Sequence, residues 1–334
     1  MTSTDAVYEW SPGPVSDDGF VDANLAHLVA GNRGRMRDPR RTPVEVTEVK
    51  PKTGSFVVRV CAFEDAGAEW ELPLYGISAF QFPVGAPRAG EHDLATLRRG
   101  RERFDRDLTV DAEPGTRQAT LASIAHRRED VASWLAARGP QADIAARIES
   151  REGDPSLYEL AEEFFAERGL GELESCFSAT FVSNPASGEV VKGHAIVAAE
   201  LGLCPFRGKV ARDPALFSGS WSRGRRGEHL TWRLALVQEL WRSFGGEGLA
   251  CYRGTASETP IEGGTKGSFV SATMSRAVAQ AHFDGGPTTG FGAMWRQTLP
   301  LERLFMSFLE TRAMNTKFRE AEVVLIGDPA NTVF

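Results

Sequence analysis

Hydrophobic and polar residues alternate along the first part of the chain, as they do in strands that bury one face of a sheet. The alternation runs through residues 43–49, 56–61 and 70–74, and the turn-forming segments PKTG and EDAG separate these runs. A period of two with turn residues between the runs predicts three or four short strands. We expect them to form a small antiparallel barrel or sheet, which serves either as an interaction module or as a structural appendage.

Farther along, apolar residues recur at every third or fourth position, which is the spacing of a helix with one buried stripe. This spacing covers residues 116–169 and again 228–244. After residue 248 the pattern returns to short strands, interrupted by one short helix that begins at Ser275. A run of helices followed by a run of strands predicts the α+β class.

These patterns divide the chain into three parts. Residues 1–41 are rich in Pro, Gly, Asp and Arg, which predicts a flexible arm. We expect residues 42–110 to form the small β-rich module and a charged linker, and residues 111–334 to form one larger domain. Within that domain a helical lobe would occupy residues 116–244 and a β core residues 248–334.

Composition changes this picture little. Of the 334 residues, 42% are hydrophobic and 25% charged, which is typical of a globular protein. The 38 basic and 45 acidic residues give a net charge of −7, which argues against a generally basic nucleic-acid coat. No stretch approaches the ~18 consecutive apolar residues of a membrane span, and residues 1–20 have neither the basic nor the apolar region of a cleavable signal. We therefore expect the protein in the cytoplasm, or delivered into a target cell without a cleavable signal peptide.

The cysteines and histidines give no metal or disulfide pattern. Cys61, Cys176, Cys204 and Cys251 are far apart and have no histidine at ligand spacing, so we expect no metal. The six histidines are scattered. His282 lies on the short apolar helix, and we interpret it as a packed histidine and not as a base.

Three segments near the C-terminus carry the candidate chemistry. One strand contains Arg253, the next contains Ser271, and the last carries a pair of glutamates, Glu320 and Glu322. In this order and in these strand contexts the chain resembles mono-ADP-ribosyltransferases of the Arg–Ser–Glu class, of the bacterial toxin or effector type. The resemblance covers about the last third strongly and extends to the helices from residue 116. It implies a helical lobe plus two packed, mainly antiparallel β-sheets around an NAD cleft.

The resemblance also implies a role for each residue, with NAD as the co-substrate. Glu322 would be the catalytic carboxylate that stabilises the positive charge developing on the ribose. Glu320 would position the acceptor and accept its proton, and strand alternation would place both glutamates on one face. Arg253 would support the phosphates and ribose of NAD with its forked donors, and Ser271 would hold the catalytic glutamate.

The resemblance further assigns Tyr252, Gly254 and Thr273 to NAD binding. Thr273 takes the place of the last serine in the family's Ser-Thr-Ser motif, and Ala272 replaces the middle threonine. The segment 301–319 would be the acceptor-recognition turn. Its exposed candidates are Asn315, Thr316, Lys317 and Phe318, of which Lys317 and Phe318 would contact the acceptor.

A glutamate at position 320 favours a protein arginine as the acceptor, because a carboxylate both orients and deprotonates a guanidinium. A macromolecular acceptor is expected, protein in preference to nucleic acid, and a neutralising antitoxin or immunity partner is possible. Three alternatives stay open. They are transfer to RNA or DNA, hydrolysis of NAD as a glycohydrolase, and a non-catalytic binding protein on the same fold. Taken alone, each feature also has a structural interpretation. The arginine would be the partner in a surface ion pair, the serine segment would cap the helix that follows, and the two glutamates would lie on a solvated face of the sheet.

Overall fold

A computed structural model describes residues 19–37, 40–63, 66–104, 106–183, 188–211, 214–257, 267–284, 291–316 and 319–328. The chain forms two compact units, residues 1–107 and residues 108–334. Among the described helices, none is both long and apolar enough to cross a membrane.

The first unit is built on a six-stranded sheet in which every neighbouring pair is antiparallel. The alternating residues of the middle strands bury one face, with Val46, Phe56 and Val58 fully enclosed. One helix, α1 (Glu91–Phe104), adds Leu97 to this core. The strands are β1 (Phe20–Asp22), β2 (Arg33–Met36), β3 (Pro43–Lys50), β4 (Ser55–Val60), β5 (Glu69–Pro73) and β6 (Phe80–Pro83), in the spatial order β1-β6-β2-β3-β4-β5.

The segment predicted to be a flexible arm contributes two of these strands. β1 pairs with β6, and β2 lies between β6 and β3, so residues 20–36 are part of the sheet. Asn32 fixes the connection between them, because its side-chain amide donates to the backbone oxygens of His27 and Pro87 at 2.8 Å each. The described part of the expected arm is thus held by pairing with β6, which is distant in the sequence. Residues 1–18 lie outside the described part.

The second unit begins with a short strand and continues with six helices. The strand is β7 (Asp107–Val110), which pairs with β8 (Phe206–Lys209). Asp154 caps the start of α4 (Pro155–Glu167), because its side chain accepts a hydrogen bond from the Ser156 amide at 2.9 Å. The helices are α2 (Thr116–Ala136), α3 (Ile144–Ser150), α4 (Pro155–Glu167), α5 (Gly171–Ser183), α6 (Glu189–Glu200) and α7 (Arg223–Ser243).

A five-stranded sheet with one helix completes the second unit. Its spatial order is β11-β9-β10-β13-β12, and every neighbouring pair is antiparallel. The α+β class is confirmed, and the order brings β9, β10 and β13 side by side. The elements are β9 (Gly248–Ser257), β10 (Phe269–Thr273), α8 (Arg276–Asp284), β11 (Phe291–Pro300), β12 (Leu304–Ser307) and β13 (Glu322–Ile326).

Arg233 of α7 lies at the centre of a buried group of charged side chains. Its guanidinium contacts the carboxylates of Glu174 in α5 and, at 3.4 Å, of Glu310, and it donates to the Thr311 hydroxyl at 2.6 Å. Glu310 also accepts a 2.8 Å hydrogen bond from the backbone amide of Ser307 at the end of β12. These contacts fasten the chain that leaves β12 to the helices before it returns as β13.

Two buried histidines extend this group into α6. Arg226 donates to His194 Nδ1 at 2.6 Å, His194 Nε2 lies 3.1 Å from His229 Nδ1, and His229 Nε2 lies 2.9 Å from Glu174. His194 Nδ1 lies near both the Arg226 donor at 2.6 Å and the Val190 oxygen at 3.1 Å. Because an arginine only donates and its contact is the shorter one, we assign Nδ1 as an acceptor, which places the proton of each imidazole on Nε2. Burial lowers the pKa of both histidines, and the Arg226 charge adds to this. We call these side chains the buried network: Glu174, His194, Arg226, His229, Arg233 and Glu310.

Candidate active site

A cleft of about 240 Å³ opens where β9, β10 and β13 lie next to one another. Tyr252, Arg253 and Gly254 line it from β9, Ser271 and Thr273 from β10, and Glu322 from β13. Glu320, in the turn before β13, and part of α8 complete the lining. The cleft therefore contains all the residues that the sequence analysis assigned to catalysis and NAD binding, and all of them except Glu320 come from three adjacent strands.

Glu322 is the first residue of β13 and the most enclosed of the cleft carboxylates. It lies opposite Thr273 in the β10–β13 ladder, and its carboxylate is hydrogen-bonded by the Ser271 side chain. Burial raises the pKa of the Glu322 carboxyl, and the nearby charge of Glu320 raises it further. The Ser271 hydrogen bond, His282 and Arg253 oppose that rise without cancelling it. Glu322 is thus a carboxylate held in a partly desolvated place, where its charge acts strongly on anything beside it.

Arg253 projects from β9 toward the same carboxylate. Its guanidinium donates to the backbone oxygen of Ser271, which fixes the side chain across β10, the neighbouring strand. Burial lowers the pKa of Arg253, and the attraction of Glu322 partly offsets this. An arginine stays charged through such shifts, so the cleft contains a fixed cation next to its buried carboxylate.

Glu320 reaches the cleft by a different route from the one predicted. The strand β13 begins only at Glu322. Ala321, between the two glutamates, has a φ of +45°, which lies in the left-handed region that residues other than glycine rarely adopt. Alternation along a strand therefore does not bring the two glutamates together. Instead, the Ala321 oxygen accepts from the Met274 amide at 3.0 Å, and the Glu320 oxygen accepts from the Thr273 hydroxyl.

Thr273 thus has a structural part in the site. Its hydroxyl donates to the Glu320 backbone oxygen and accepts from the Ser275 amide at 2.9 Å, where α8 begins. One side chain joins the end of β10, the start of α8 and the turn that carries Glu320. A serine would keep the hydroxyl, so the threonine found here meets the same requirement.

Gly254 allows α8 to lie directly on β9. A Cβ at this position would be 1.8 Å from the Ala279 backbone oxygen and 2.8 Å from the Phe283 amide, which are distances that atoms cannot adopt. Any other residue would force α8 away from the strand. Because α8 forms one wall of the cleft, Gly254 sets its width.

The predicted acceptor-recognition turn is mostly core. Residues 304–311 are all buried, and only Glu302, Arg312 and Thr316 are exposed among the described residues from 301 to 316. Asn315 was expected to be free for an acceptor, but its side chain accepts from the Gly153 amide at 3.0 Å and donates to the Phe308 oxygen at 2.7 Å. It is therefore a structural tie to the loop before α4. Lys317 and Phe318 lie outside the described residues.

The sequence analysis was wrong about the surroundings of His282. Its side chain is 58% exposed, lines the cleft, and lies with Nε2 3.5 Å from a carboxylate oxygen of Glu320. The hydrophobic pattern of α8 gave no sign of this, because the buried residues Val278 and Ala279 line the same cleft as the exposed His282. The position of His282 one turn after Val278 was the only available signal.

The thiols do not take part in the site. Cys251 and Cys204 are buried, and burial raises their pKa values to about 12 and about 11. Thiols held in the protonated form are poor nucleophiles and poor metal ligands. Within the described ranges, no three His, Cys, Asp or Glu side chains are grouped as they would be to hold a metal ion.

Comparisons of the chain with protein-family models, with curated proteins and with solved structures found no match.

Proposed function

We propose that this protein is a mono-ADP-ribosyltransferase that cleaves the bond between nicotinamide and ribose in NAD and transfers ADP-ribose to an acceptor, in the first place a protein arginine. One observation carries the proposal. Arg253, Ser271 and Glu322 come from three adjacent strands and meet in one cleft, where the serine binds the carboxylate and the arginine lies beside it.

The chemistry requires a carboxylate of this kind. Breaking the nicotinamide–ribose bond leaves positive charge on the ribose, and a fixed negative charge beside it lowers the barrier. Glu322 meets this need because Ser271 orients it and burial removes the water that would screen it. Its raised pKa requires the site to work above that pKa, where the carboxylate is ionised.

The volume of the cleft favours binding of only the nicotinamide end of NAD inside it. A cleft of about 240 Å³ is smaller than the ~300–1,000 Å³ of pockets that enclose a whole drug-sized ligand. We expect the nicotinamide and its ribose to lie inside, against Glu322, and the rest of the dinucleotide to extend over the rim. Arg253 would then meet the ribose or the nearest phosphate with paired N–H donors.

Glu320 supports an acceptor that gives up a proton. Its side chain is 34% exposed, so it lies nearer the mouth of the cleft than Glu322 does. A carboxylate in that place attracts a guanidinium and removes its proton as the new bond forms. An arginine acceptor follows from this chemistry, and the toxin or effector role follows from the resemblance alone.

The decisive experiment uses NAD labelled in the adenylate part. The purified protein is incubated with labelled NAD and a cell lysate, and both nicotinamide release and label transfer are measured. Glu322→Gln keeps the size of the side chain and removes its charge, and we expect both rates to fall about 10²–10³-fold. The matched control is Glu302→Gln, since the Glu302 side chain is 60% exposed and lies away from the cleft.

The same experiment separates the alternatives. Label that is lost with nuclease but not with protease indicates a nucleic-acid acceptor, and nicotinamide release without transfer indicates a glycohydrolase. If the wild-type protein neither consumes NAD nor responds to Glu322→Gln, the proposal of catalysis is wrong. Toxicity on expression in a host cell, abolished by the same substitution, would support the effector role.

A further inference from the structure

His282 is placed to exchange a proton with Glu320. It lies in the last turn of α8, with Nε2 3.5 Å from a carboxylate oxygen of Glu320. That distance suits an ion pair and is long for a hydrogen bond, but catalytic contacts of this kind commonly shorten when substrate is bound. The imidazole is 58% exposed, while Glu320 is 34% exposed, so the histidine stands between the glutamate and bulk water.

The charged groups that face His282 are those of the cleft itself. Glu320 from the turn before β13 is in contact with it, and Glu322 from β13 and Arg253 from β9 lie beyond. A charge on His282 stabilises the ionised form of Glu322, which shows that the imidazole and both carboxylates act on one another electrostatically. His282 thus shares the field in which the reaction would occur.

We propose that His282 takes from Glu320 the proton that the acceptor releases and passes it to solvent, an inference that rests on the transferase activity proposed above. The bond between nicotinamide and ribose breaks, and its electron pair goes to the nicotinamide nitrogen, which becomes neutral. The acceptor nitrogen forms a bond to the ribose carbon and loses one proton. That proton moves to the Glu320 carboxylate, then to His282 Nε2, and leaves the imidazole for water.

Histidine is suited to this step because its charge changes between about pH 5 and pH 8. A neutral imidazole accepts the proton from Glu320 and returns the carboxylate to its basic form for the next turnover. A protonated imidazole cannot do so. The relay therefore predicts that the transfer rate falls as the pH drops across the range in which histidines in general take up a proton.

A structural interpretation competes with the relay. A cation in the last turn of a helix is stabilised by the helix dipole, and a cation beside Glu320 would also hold that carboxylate in place. Either role needs only the charge of the side chain. A lysine at position 282 retains the charge near neutral pH but cannot serve as a base there, so it distinguishes the two.

The test measures nicotinamide release and transfer to agmatine, a small guanidinium acceptor, from about pH 5 to about pH 8. We expect His282→Ala to lower the transfer rate at least about tenfold, which is a modest share of the gain from acid–base catalysis. The decrease of the transfer rate between about pH 8 and pH 5 should also be lost in this variant. Free imidazole should restore the activity of His282→Ala. His282→Lys should stay as slow as His282→Ala. His282→Gln is the substitute if the alanine variant unfolds.

The outcomes separate this inference from the proposed function. Three results would each overturn the relay and leave the transferase activity itself intact. They are a transfer rate of His282→Ala equal to that of the wild type, a transfer rate of His282→Lys equal to that of the wild type, and no effect of free imidazole on His282→Ala. If agmatine is not modified but NAD is hydrolysed, the same variants are compared on hydrolysis, because attacking water also releases a proton. Failure of the proposed function is recognised separately, by a wild-type protein that does not consume NAD.

Discussion

The buried network in the helices and the cleft at the sheet each set an arginine against two glutamates. In the network the side chains of Arg233 and Glu310 are 2% and 1% exposed, and both are hydrogen-bonded to other side chains or to the backbone. In the cleft Glu322 is enclosed but faces an opening, and Glu320 is 34% exposed. The same residue types are therefore closed off in one region and left open to a ligand in the other.

The pKa values of the buried glutamates show how the two regions differ. Burial raises the pKa of Glu174 in the network, but Arg233 and His229 outweigh it, so its pKa ends below the usual value. Burial also raises the pKa of Glu322, and there the favourable contacts do not outweigh it. Folding stabilises the charge of Glu174, whereas burial outweighs the favourable contacts of Glu310 and Glu322 and raises the pKa of both. We infer that the contact of Arg233 with Glu174 contributes to stability, whereas the cleft gives up stability for a reactive carboxylate that faces an opening.

The largest expected effect comes from breaking the network at Arg233. Arg233→Met removes the cation that neutralises Glu174 and faces Glu310, which leaves buried carboxylates without their partner. We expect the free energy of unfolding to fall by about 3–5 kcal/mol. Urea unfolding followed by helical circular dichroism measures it, because α2 to α7 all belong to the second unit.

Two controls frame that measurement. Arg223→Met breaks an exposed ion pair with Glu200 at the start of the same helix, and we expect a loss below about 1 kcal/mol. Glu322→Gln should leave stability unchanged or raise it, because it removes a charge that folding disfavours. A loss from Glu322→Gln as large as that from Arg233→Met would show that the two regions do not differ as argued.

A smaller effect is expected from acidifying the solution. The pKa values of His194 and His229 are lowered in the folded protein, so below about pH 6.5 the unfolded chain binds protons that the folded chain does not. The stability they contribute is present above that pH and is lost as the pH falls toward their folded pKa values. Between about pH 7 and pH 5.5 we expect a loss of about 1–2 kcal/mol from this pair.

Amide hydrogen exchange in α6 and α7 measures that loss where it arises. His194→Gln should be less stable at neutral pH but should show a smaller decrease on acidification. His126→Gln is the matched control, since the His126 side chain is 76% exposed on α2. An unchanged pH dependence in His194→Gln would exclude the histidine pair as its source.

The comparison also explains what could be predicted from the sequence. The strands that carry Arg253, Ser271 and Glu322 were predictable because short alternating runs specify strands locally. The strands β1 and β2 were not, because they are three and four residues long and are held by pairing with the distant β6. Pairing of that kind is a property of the folded chain and leaves no periodic pattern.

The network and parts of the cleft were hidden for related reasons. Arg226 occurs in the charged stretch 223–228 of α7, which is typical of a solvated face, and Arg233 is a single arginine in the apolar run 230–237. Both are buried because partners from other elements contact them. Ala321 does not signal a left-handed backbone, as a glycine would, so the place of Glu320 before the strand could not be predicted. Whether His282 faces core or cleft depended on how α8 packs on β9.

The smallest expected effect is a shift in the titration midpoint of Glu322. Removing the charge of Glu320 and removing the charge of His282 should shift this midpoint in opposite directions. Glu320 raises the pKa of Glu322, so Glu320→Gln should move the Glu322 titration to lower pH, whereas Glu320→Asp, which keeps the charge, should leave it nearly in place. His282 lowers that pKa, so His282→Gln should move the titration to higher pH. Carbon-13 NMR of the glutamate carboxyl groups, assigned by the signal that Glu322→Gln removes, records the midpoint without any enzyme assay. A Glu322 midpoint that is the same in the wild type and in both variants would mean that burial alone sets the pKa of Glu322. The charged groups of the cleft would then not be coupled, and Glu322 would not differ from an ordinary buried carboxylate.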